Sequence, residues 1–525
     1  MSASRIAIVG SGMMGATLAY ELTRAGCEVD VFERGPDYAY PHRQRFVETI
    51  ENGWDDPARA VAPDLRRFTS TGSYARELWR EAVVREGGSG TAWTGLATRM
   101  SPTDHETRSR YGFGEDWPLS YAELEPWLCR AEAQLGVSGT DDDNPWAPPR
   151  SQPYPLPPFE LTPDDVLVAE RLAAGGIHVH STPQARTRAD YEGRPACMNI
   201  GECQVCPTGA RYSSTHHLAL ARATGRCRVT TGASVRRVLT DAAGRARGVR
   251  WRREGEDRDR EHEADLVIVA GAAFESARLL LLSRDAKHPD GLGNTHGHVG
   301  RHLVFHHIWV GHVHFEEPVH AGRVGFWTAQ SDQFVDPPTR GRHGGVKIEL
   351  PSKPAPEHMR AAGRARSFEE AMRAFDVVRR CRTVGMHAES DTGDGKYVAL
   401  ARERDRFGDP VAHVHYDSSA FDRATHAYAR ELFDRVAAAL RVRERVFPGL
   451  EEFGTFAHHM GTHRMSARPE DGVVDTYGAV HDTPGLHAIG LGMFAGCGGA
   501  VNPTLTGVAL AIRAADAIAR GAGRA

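Results

Sequence analysis

The first 35 residues constrain the fold more than any other stretch of the chain. Ile6, Ala7, Ile8 and Val9 form an apolar run that reads as a strand buried on both faces, and it ends at Gly10, Gly12 and Gly15, a G-x-G-x-x-G turn that opens a helix. A second apolar run, Val29 to Phe32, ends at Glu33. Glycines in this pattern let the backbone turn tightly and approach a pyrophosphate, which the free N–H groups and dipole of the helix N-terminus favour. An acid after the second strand accepts hydrogen bonds from an adenosine ribose and disfavours a 2′-phosphate, so the expected ligand is NAD or FAD rather than NADP. Alone the glycines mean little. Strand, turn, helix, second strand and terminal acid in register mean an α/β dinucleotide-binding fold.

The 525 residues suffice for a large core and for two or more structural domains, one of which can thread discontinuously through the other. A net charge of −4, from 64 basic and 68 acidic residues, argues against a nucleic-acid or membrane-surface partner. No basic, apolar and small-residue leader pattern precedes the first strand, and apolar runs such as Leu266 to Ala273 are too short to cross a bilayer. The expected location is the cytoplasm, where the eight cysteines are thiols rather than a disulfide framework. The 27 histidines include no H-E-x-x-H pattern and no paired C-x-x-C pattern accompanies them, so no metal is expected.

Residues 56–85 are polar and helix-like, and they lead into Gly87-Gly88-Ser89-Gly90-Thr91-Ala92-Trp93-Thr94-Gly95, a loop suited to packing backbone against a phosphate or a flavin ring. Ser120 is placed to cap a helix running to Leu135, and the Pro-rich stretch Asn144 to Pro163 is a surface excursion. Cys197, Cys203 and Cys206 lie close in sequence. A metal or iron–sulfur site there needs a distant fourth ligand such as Cys227 or Cys497, so small buried thiols in a tight loop are the preferred reading. Residues 228–231, 235–239 and 249–251 suggest a β-meander, and Asp265 to Ala273 a second buried strand beside the first, followed by a helix over 275–283. Residues 345–350 and 411–416 alternate with period 2, which predicts antiparallel strands with one polar face, and 421–441 is helical. Such a sheet suits a hydroxyl-rich ligand, or is simply solvated. Near the end, His458 to Met465 precede Leu486 to Gly492 and a helix start with Asn502 as N-cap and Pro503 at the first helical position. His459 and His463 are four apart, but no carboxylate or cysteine completes a ligand set.

These blocks resemble the glucose–methanol–choline (GMC) oxidoreductases, and within them the pyranose-oxidase-like branch that includes bacterial glycoside 3-oxidases. The resemblance rests on the N-terminal fingerprint, Asp116 to Pro126, Asp265 to Gly271, Gly291 to Asn294 with Val299 to Arg301, the H-x-x-G-T of His458 to Thr462, and Asn502 to Thr506, in the family's order. It implies an FAD-binding Rossmann-like domain of the p-hydroxybenzoate-hydroxylase type (1–110, 190–302 and 455–525). It also implies a substrate-binding domain on a mostly antiparallel sheet (111–189 and 303–454).

The resemblance further implies His458 and Asn502 as the catalytic pair. FAD would be lined by Gly10, Gly12, Met13, Met14, Gly15, Glu33, Arg34, Thr91, Ala92, Trp93, Thr94, Val235, Ala270, Gly271, Gly490, Asn502, Pro503 and Thr504. Ala92 stands where fungal pyranose oxidases carry the histidine that bonds FAD covalently, so non-covalent FAD is implied. Gly490 stands where many members have Asp but where the pyranose-oxidase-like branch has Gly. The implied reaction is oxidation of a secondary hydroxyl of a pyranose or glycoside, C3 favoured over C2, with O2 reduced to H2O2. Alternatives are a dehydrogenase passing electrons to a quinone or another acceptor, and an oxidase of a non-sugar alcohol.

Overall fold

The computed structural model describes residues 4–41, 43–51, 68–73, 83–199, 203–319, 327–352, 361, 363–452 and 458–521. Its first layer is a five-stranded parallel sheet in the order Leu486–Ala488, Leu266–Val269, Arg5–Val9, Glu28–Phe32 and Cys227–Thr230. Ile6 sits in register between Leu266 and Val29, as the continuous apolar runs predict, and Ala7, Ile8 and Val267 are wholly buried. The helix Met13–Arg24 follows the glycine turn, and the C-terminal helix Thr504–Ala519 packs on it. Gly507 allows this contact, since a Cβ there would run into the Met14 side chain. Because the strands are parallel, Val9, Phe32, Val269 and Ala488 all end at one edge, where an α/β sheet takes its ligand.

The predicted meander is displaced by one strand. Residues 227–230 join the parallel sheet beside Val29–Phe32, and the meander is built from Ala233–Thr240, Ala246–Arg253 and Arg260–Glu263. Gly232, at φ +62°, turns the chain between the two.

A six-stranded sheet runs Glu444–Val446, His307–His314, Cys381–Ala388, Val346–Leu350, Ala329–Ser331 and His180–Ser181, each pair antiparallel. Val346–Leu350 is the strand predicted from period 2, but its polar face is not solvated. All five residues are buried, because Lys347 and Glu349 satisfy each other inside the protein. The second predicted strand, Pro410–Tyr416, belongs instead to a three-stranded sheet with Lys396–Arg404 and Phe68–Thr71, where His413 and His415 bond Thr69 and Thr71. Phe68–Thr71 lies in the region predicted helical, and it is strand because it extends this sheet; 56–67 and 74–82 of that region lie outside the described residues. The helix Tyr121–Leu135 carries the expected Ser120 cap, with Glu123 completing a capping box. Among the described residues no helix is long and apolar enough to cross a membrane.

The glycine turn gives a direct test. A Cβ on Gly10, at φ +101°, would lie 2.6 Å from the Ala270 carbonyl oxygen, whereas one on Gly26, at φ +91°, would meet nothing within 4 Å. Both alanine substitutions incur backbone strain, but only Gly10→Ala adds a clash, so it is expected to cost about 1–3 kcal/mol more in denaturant unfolding. Equal losses would show that the close approach is not needed.

Candidate active site

At the C-terminal edge of the parallel sheet the glycines shape a dinucleotide cradle. Gly15 lets the helix pass against the Gly10 carbonyl, while a Cβ on Gly12 would point into open space. That space lies at the N-terminus of Met13–Arg24, where backbone N–H groups remain for a pyrophosphate. The loop from Gly87 closes beside it: Gly87 N–H donates to Ser11 Oγ at 2.9 Å, and Gly88 lies against Gly12. Arg211 fixes that loop by donating to the carbonyls of Gly90 (3.0 Å) and Thr91 (2.9 Å), and Trp93 Nε1 donates to the Tyr212 carbonyl at 2.7 Å. Ala92 is buried and Thr94 is half-buried next to them.

Glu33 accepts from Ser11 N–H (3.0 Å) and Ser11 Oγ (2.6 Å) on Oε2, and from Gly35 N–H (2.8 Å) on Oε1. The carboxylate is thereby fixed in orientation, with Oε1 keeping capacity for a ribose hydroxyl. Ala233 N–H donates to the Glu33 carbonyl at 2.8 Å, which brings Val235 alongside. Arg34 is engaged with Glu275 at 3.2 Å. Ala270 and Gly271 follow the strand that Gly10 touches, and Gly490 follows Ile489, whose N–H donates to Val269 O at 2.9 Å. A Cβ on Gly490 would also meet nothing within 4 Å. The open Gly12, the oriented Glu33 and the tethered loop fit FAD at this edge.

Asn502 sits at the start of the C-terminal helix, but not as its cap. The helix begins at Thr504 with Pro503 in the cap position and no side-chain cap bond, because Asn502 Oδ1 accepts from Lys347 Nζ and Thr98 Oγ1 instead. Pro503 is buried and Thr504 half-buried. Lys347 Nζ also lies 2.9 Å from Glu349 Oε1, which is 3.1 Å from His387 Nδ1. His387 is wholly buried, and its ring stacks on His458 with centroids 5.2 Å apart. His458 is half-buried, holds φ +70° and has its Nδ1 3.1 Å from Nδ1 of His306. That φ is a strained value for a non-glycine residue, of the kind concentrated at functional sites. The Nε2 of His306 lies 2.7 Å from the Gly499 carbonyl.

Burial, followed by the charges and rings around it, sets the state of this cluster. Burial, then His387, pushes His458 well below the usual histidine range. Burial and the Lys347 ammonium push His387 down to about 4. Lys347 holds the Glu349 carboxyl far below the ordinary carboxylate range against the effect of burial. At neutral pH the site therefore contains three neutral imidazoles and one internal ion pair.

His306, His387 and His458 each bring a ring nitrogen within 4.8 Å of the others, a spacing that metal ligands can have. The donor set fits a metal poorly, because a dication there would face the Lys347 ammonium, with which the Glu349 carboxylate is already paired. Residues 458–463 are not helical, so His459 and His463 do not share a helix face. Among the described residues the cysteines form no ligand group: Cys203 and Cys206 are buried and Cys197 is half-buried.

The structure thus links Asn502 to His458 through Lys347, Glu349 and His387, and gathers the fingerprint glycines at the sheet edge. Sequence reasoning missed Lys347, Glu349, His387, His306 and Thr98. The signal for the first two was present, since period 2 in 346–350 places both charges on one face.

Comparison with known proteins identifies the family. Family models described as "GMC oxidoreductase" match residues 170–308 and 396–511, and one described as "FAD dependent oxidoreductase" matches 5–140. Among characterised relatives, the fructose dehydrogenase large subunit of Gluconobacter japonicus is 28% identical, covering 98% of this chain and 97% of its own. The 2-methyl-1,2-propanediol dehydrogenase of Mycolicibacterium austroafricanum is 29% identical over 98% and 95%. The C-glycoside 3-oxidase of Microbacterium trichothecenolyticum is 27% identical over 98% and 96%. The crystal structure of a pyridoxine 4-oxidase from "Mesorbium loti" superposes with a TM-score of 0.63 at 17% identity, covering 98% of both chains, and so shares the fold.

The many neutral buried histidines predict acid lability. His216, His307, His387, His459 and His487 are held at about 4, and His217, His302 and His463 at about 3, with burial the first cause in each. Between these values and about 6.5 the unfolded chain binds more protons than the folded one, so stability is full above 6.5 and falls as pH drops through the window, by about 1.4 kcal/mol per pH unit for each group. Acid unfolding followed by circular dichroism is expected to have its midpoint near pH 5 at about 25 °C. A flat stability from pH 7 to 4 would mean these rings are charged in the fold.

Proposed function

The chain belongs to the GMC oxidoreductase family, and we propose that it oxidises a secondary hydroxyl of a pyranose sugar or glycoside to a ketone, C3 favoured over C2, with dioxygen as the electron acceptor. Its membership makes it an FAD-dependent oxidoreductase acting on sugar or alcohol hydroxyls. The observation that carries the proposal is the convergence of His458 and Asn502, from separate segments, on one buried polar cluster beside the FAD cradle.

Bound FAD supplies the acceptor for the hydride that leaves the carbinol carbon. His458, neutral at working pH, takes the hydroxyl proton, a contribution typically of about 10² to 10⁴ in rate. Asn502 donates its amide N–H to the substrate oxygen and holds the C–H in one direction, so much of the barrier is removed by placement. The six-stranded sheet contributes Lys347, Glu349 and His387 to the cluster around Asn502 and His458, which supports 111–189 and 303–454 as the substrate-binding part.

The named activity of the C-glycoside 3-oxidase supports the sugar and the oxygen. The fructose dehydrogenase favours a second reading, in which the same alcohol chemistry delivers electrons to another acceptor. Anaerobic mixing of the FAD-loaded protein with free sugars, O- and C-glycosides and simple secondary alcohols distinguishes these. Bleaching of the flavin by a glycoside, then peroxide on admitting air, is the expected result. Bleaching that air does not reverse would favour the dehydrogenase. Failure of every sugar would overturn the carbohydrate assignment. His458→Ala is expected to slow bleaching by about 10² or more with FAD still bound.

A further inference from the structure

We propose that His306 and Lys347 are positioning residues that fix the polarity of the site, so that it offers one acceptor, His458 Nε2, and one donor, Asn502 Nδ2, to a single oxygen. This rests on the reading of His458 as base and Asn502 as donor, and adds what makes them so.

The chain of deduction starts at a carbonyl. Gly499 O can only accept, so His306 Nε2, 2.7 Å away, carries the proton. His306 is neutral and wholly enclosed, so its Nδ1 bears a lone pair. The ring nitrogen facing that lone pair at 3.1 Å is His458 Nδ1, which must therefore be N–H. A neutral imidazole has one N–H, so His458 Nε2 is the free acceptor. His306 thus sets the tautomer of His458, the task a carboxylate or carbonyl performs for a catalytic histidine elsewhere.

The amide is fixed in the same way. An ammonium can only donate, so the Asn502 atom that Lys347 Nζ touches is the carbonyl oxygen. Thr98 Oγ1 donates to that same oxygen at 3.4 Å. Asn502 Nδ2 is left to face the substrate, and a flip would set NH2 against NH3⁺. Glu349 holds the Lys347 ammonium in place at 2.9 Å and is itself held by His387 at 3.1 Å.

An acceptor and a donor offered to one oxygen match an alcohol, whose O–H donates and whose oxygen accepts. They reject an alkylammonium, which has no lone pair for Asn502 and would add charge beside Lys347. A ketone product can only accept, so once His458 Nε2 has given up the proton it took from the hydroxyl it has no hydrogen-bond donor in the product, and this favours release.

Two measurements test the proposal. In the ¹⁵N-histidine-labelled holoenzyme, with signals assigned by His306→Leu and His458→Ala, His458 is expected to carry its proton on Nδ1 and His306 on Nε2; the opposite tautomers overturn it. In anaerobic flavin reduction with whichever alcohol of the panel bleaches fastest, Lys347→Met/Glu349→Gln, which leaves no unpaired buried charge, and His306→Leu are expected to lower the limiting rate by about tenfold or more. Lys347→Arg in the native background is expected to recover most of the rate, as a mere packing role would not require. Wild-type rates in these variants, with His458→Ala and Asn502→Ala still slow, overturn this proposal alone. Wild-type rates in His458→Ala and Asn502→Ala overturn the reading beneath it.

Discussion

Gly10 and Gly15 bring three backbone segments to a separation that no Cβ could occupy. A side chain on Gly10 would meet Ala270 O at 2.6 Å, and one on Gly15 would strike the Gly10 carbonyl. That approach lets the strands Arg5–Val9 and Leu266–Val269 end side by side with a helix rising directly from the turn. Other contacts converge on this edge. Ser11 ties the turn to Glu33 and to the Gly87 loop, and the C-terminal helix, seated on Met14 through Gly507, brings Asn502 to the same place.

The side-chain cluster around Asn502 is of a different kind from this backbone-built cradle. A buried ion pair such as Lys347–Glu349 costs desolvation that Coulomb attraction seldom more than offsets, so stability alone is a weak reason for it. Its place in the site supplies a stronger one. The ammonium is a fixed donor against Asn502, and the paired carboxylate keeps the cluster neutral overall, so the histidines around it stay uncharged. On the proposed reading, the cradle holds FAD and the cluster sets which hydrogen-bonding groups meet the alcohol.

Three of the five parallel strands were legible because their residues announce themselves locally: continuous apolar runs, glycines at a turn, an acid at a strand end. The Ser120 cap was legible for the same reason. What could not be read was partnership across the fold. Period 2 in Val346–Leu350 found the strand, but whether its polar face meets water or a buried partner depends on Asn502 and His387, distant in sequence. Arg228–Thr231 has the composition of a meander strand, and only the vacant edge beside Val29–Phe32 draws it into the parallel sheet. Asn502 looked like an N-cap because Asn before Pro usually is one; a buried lysine competes for the same oxygen and prevails. The resemblance to a known family supplied His458 and Asn502, but the residues that orient them lie outside its motifs.

The most direct measurement is a crystal structure of the FAD-loaded protein with a glycoside bound under anaerobic conditions or as an unreactive deoxy-fluoro analogue. The expected result is one secondary hydroxyl of the sugar ring within about 2.6–3.2 Å of both His458 Nε2 and the Asn502 amide nitrogen, with its carbon facing the flavin. A sugar bound away from this pair, or a hydroxyl meeting Asn502 through the side-chain oxygen, would contradict it.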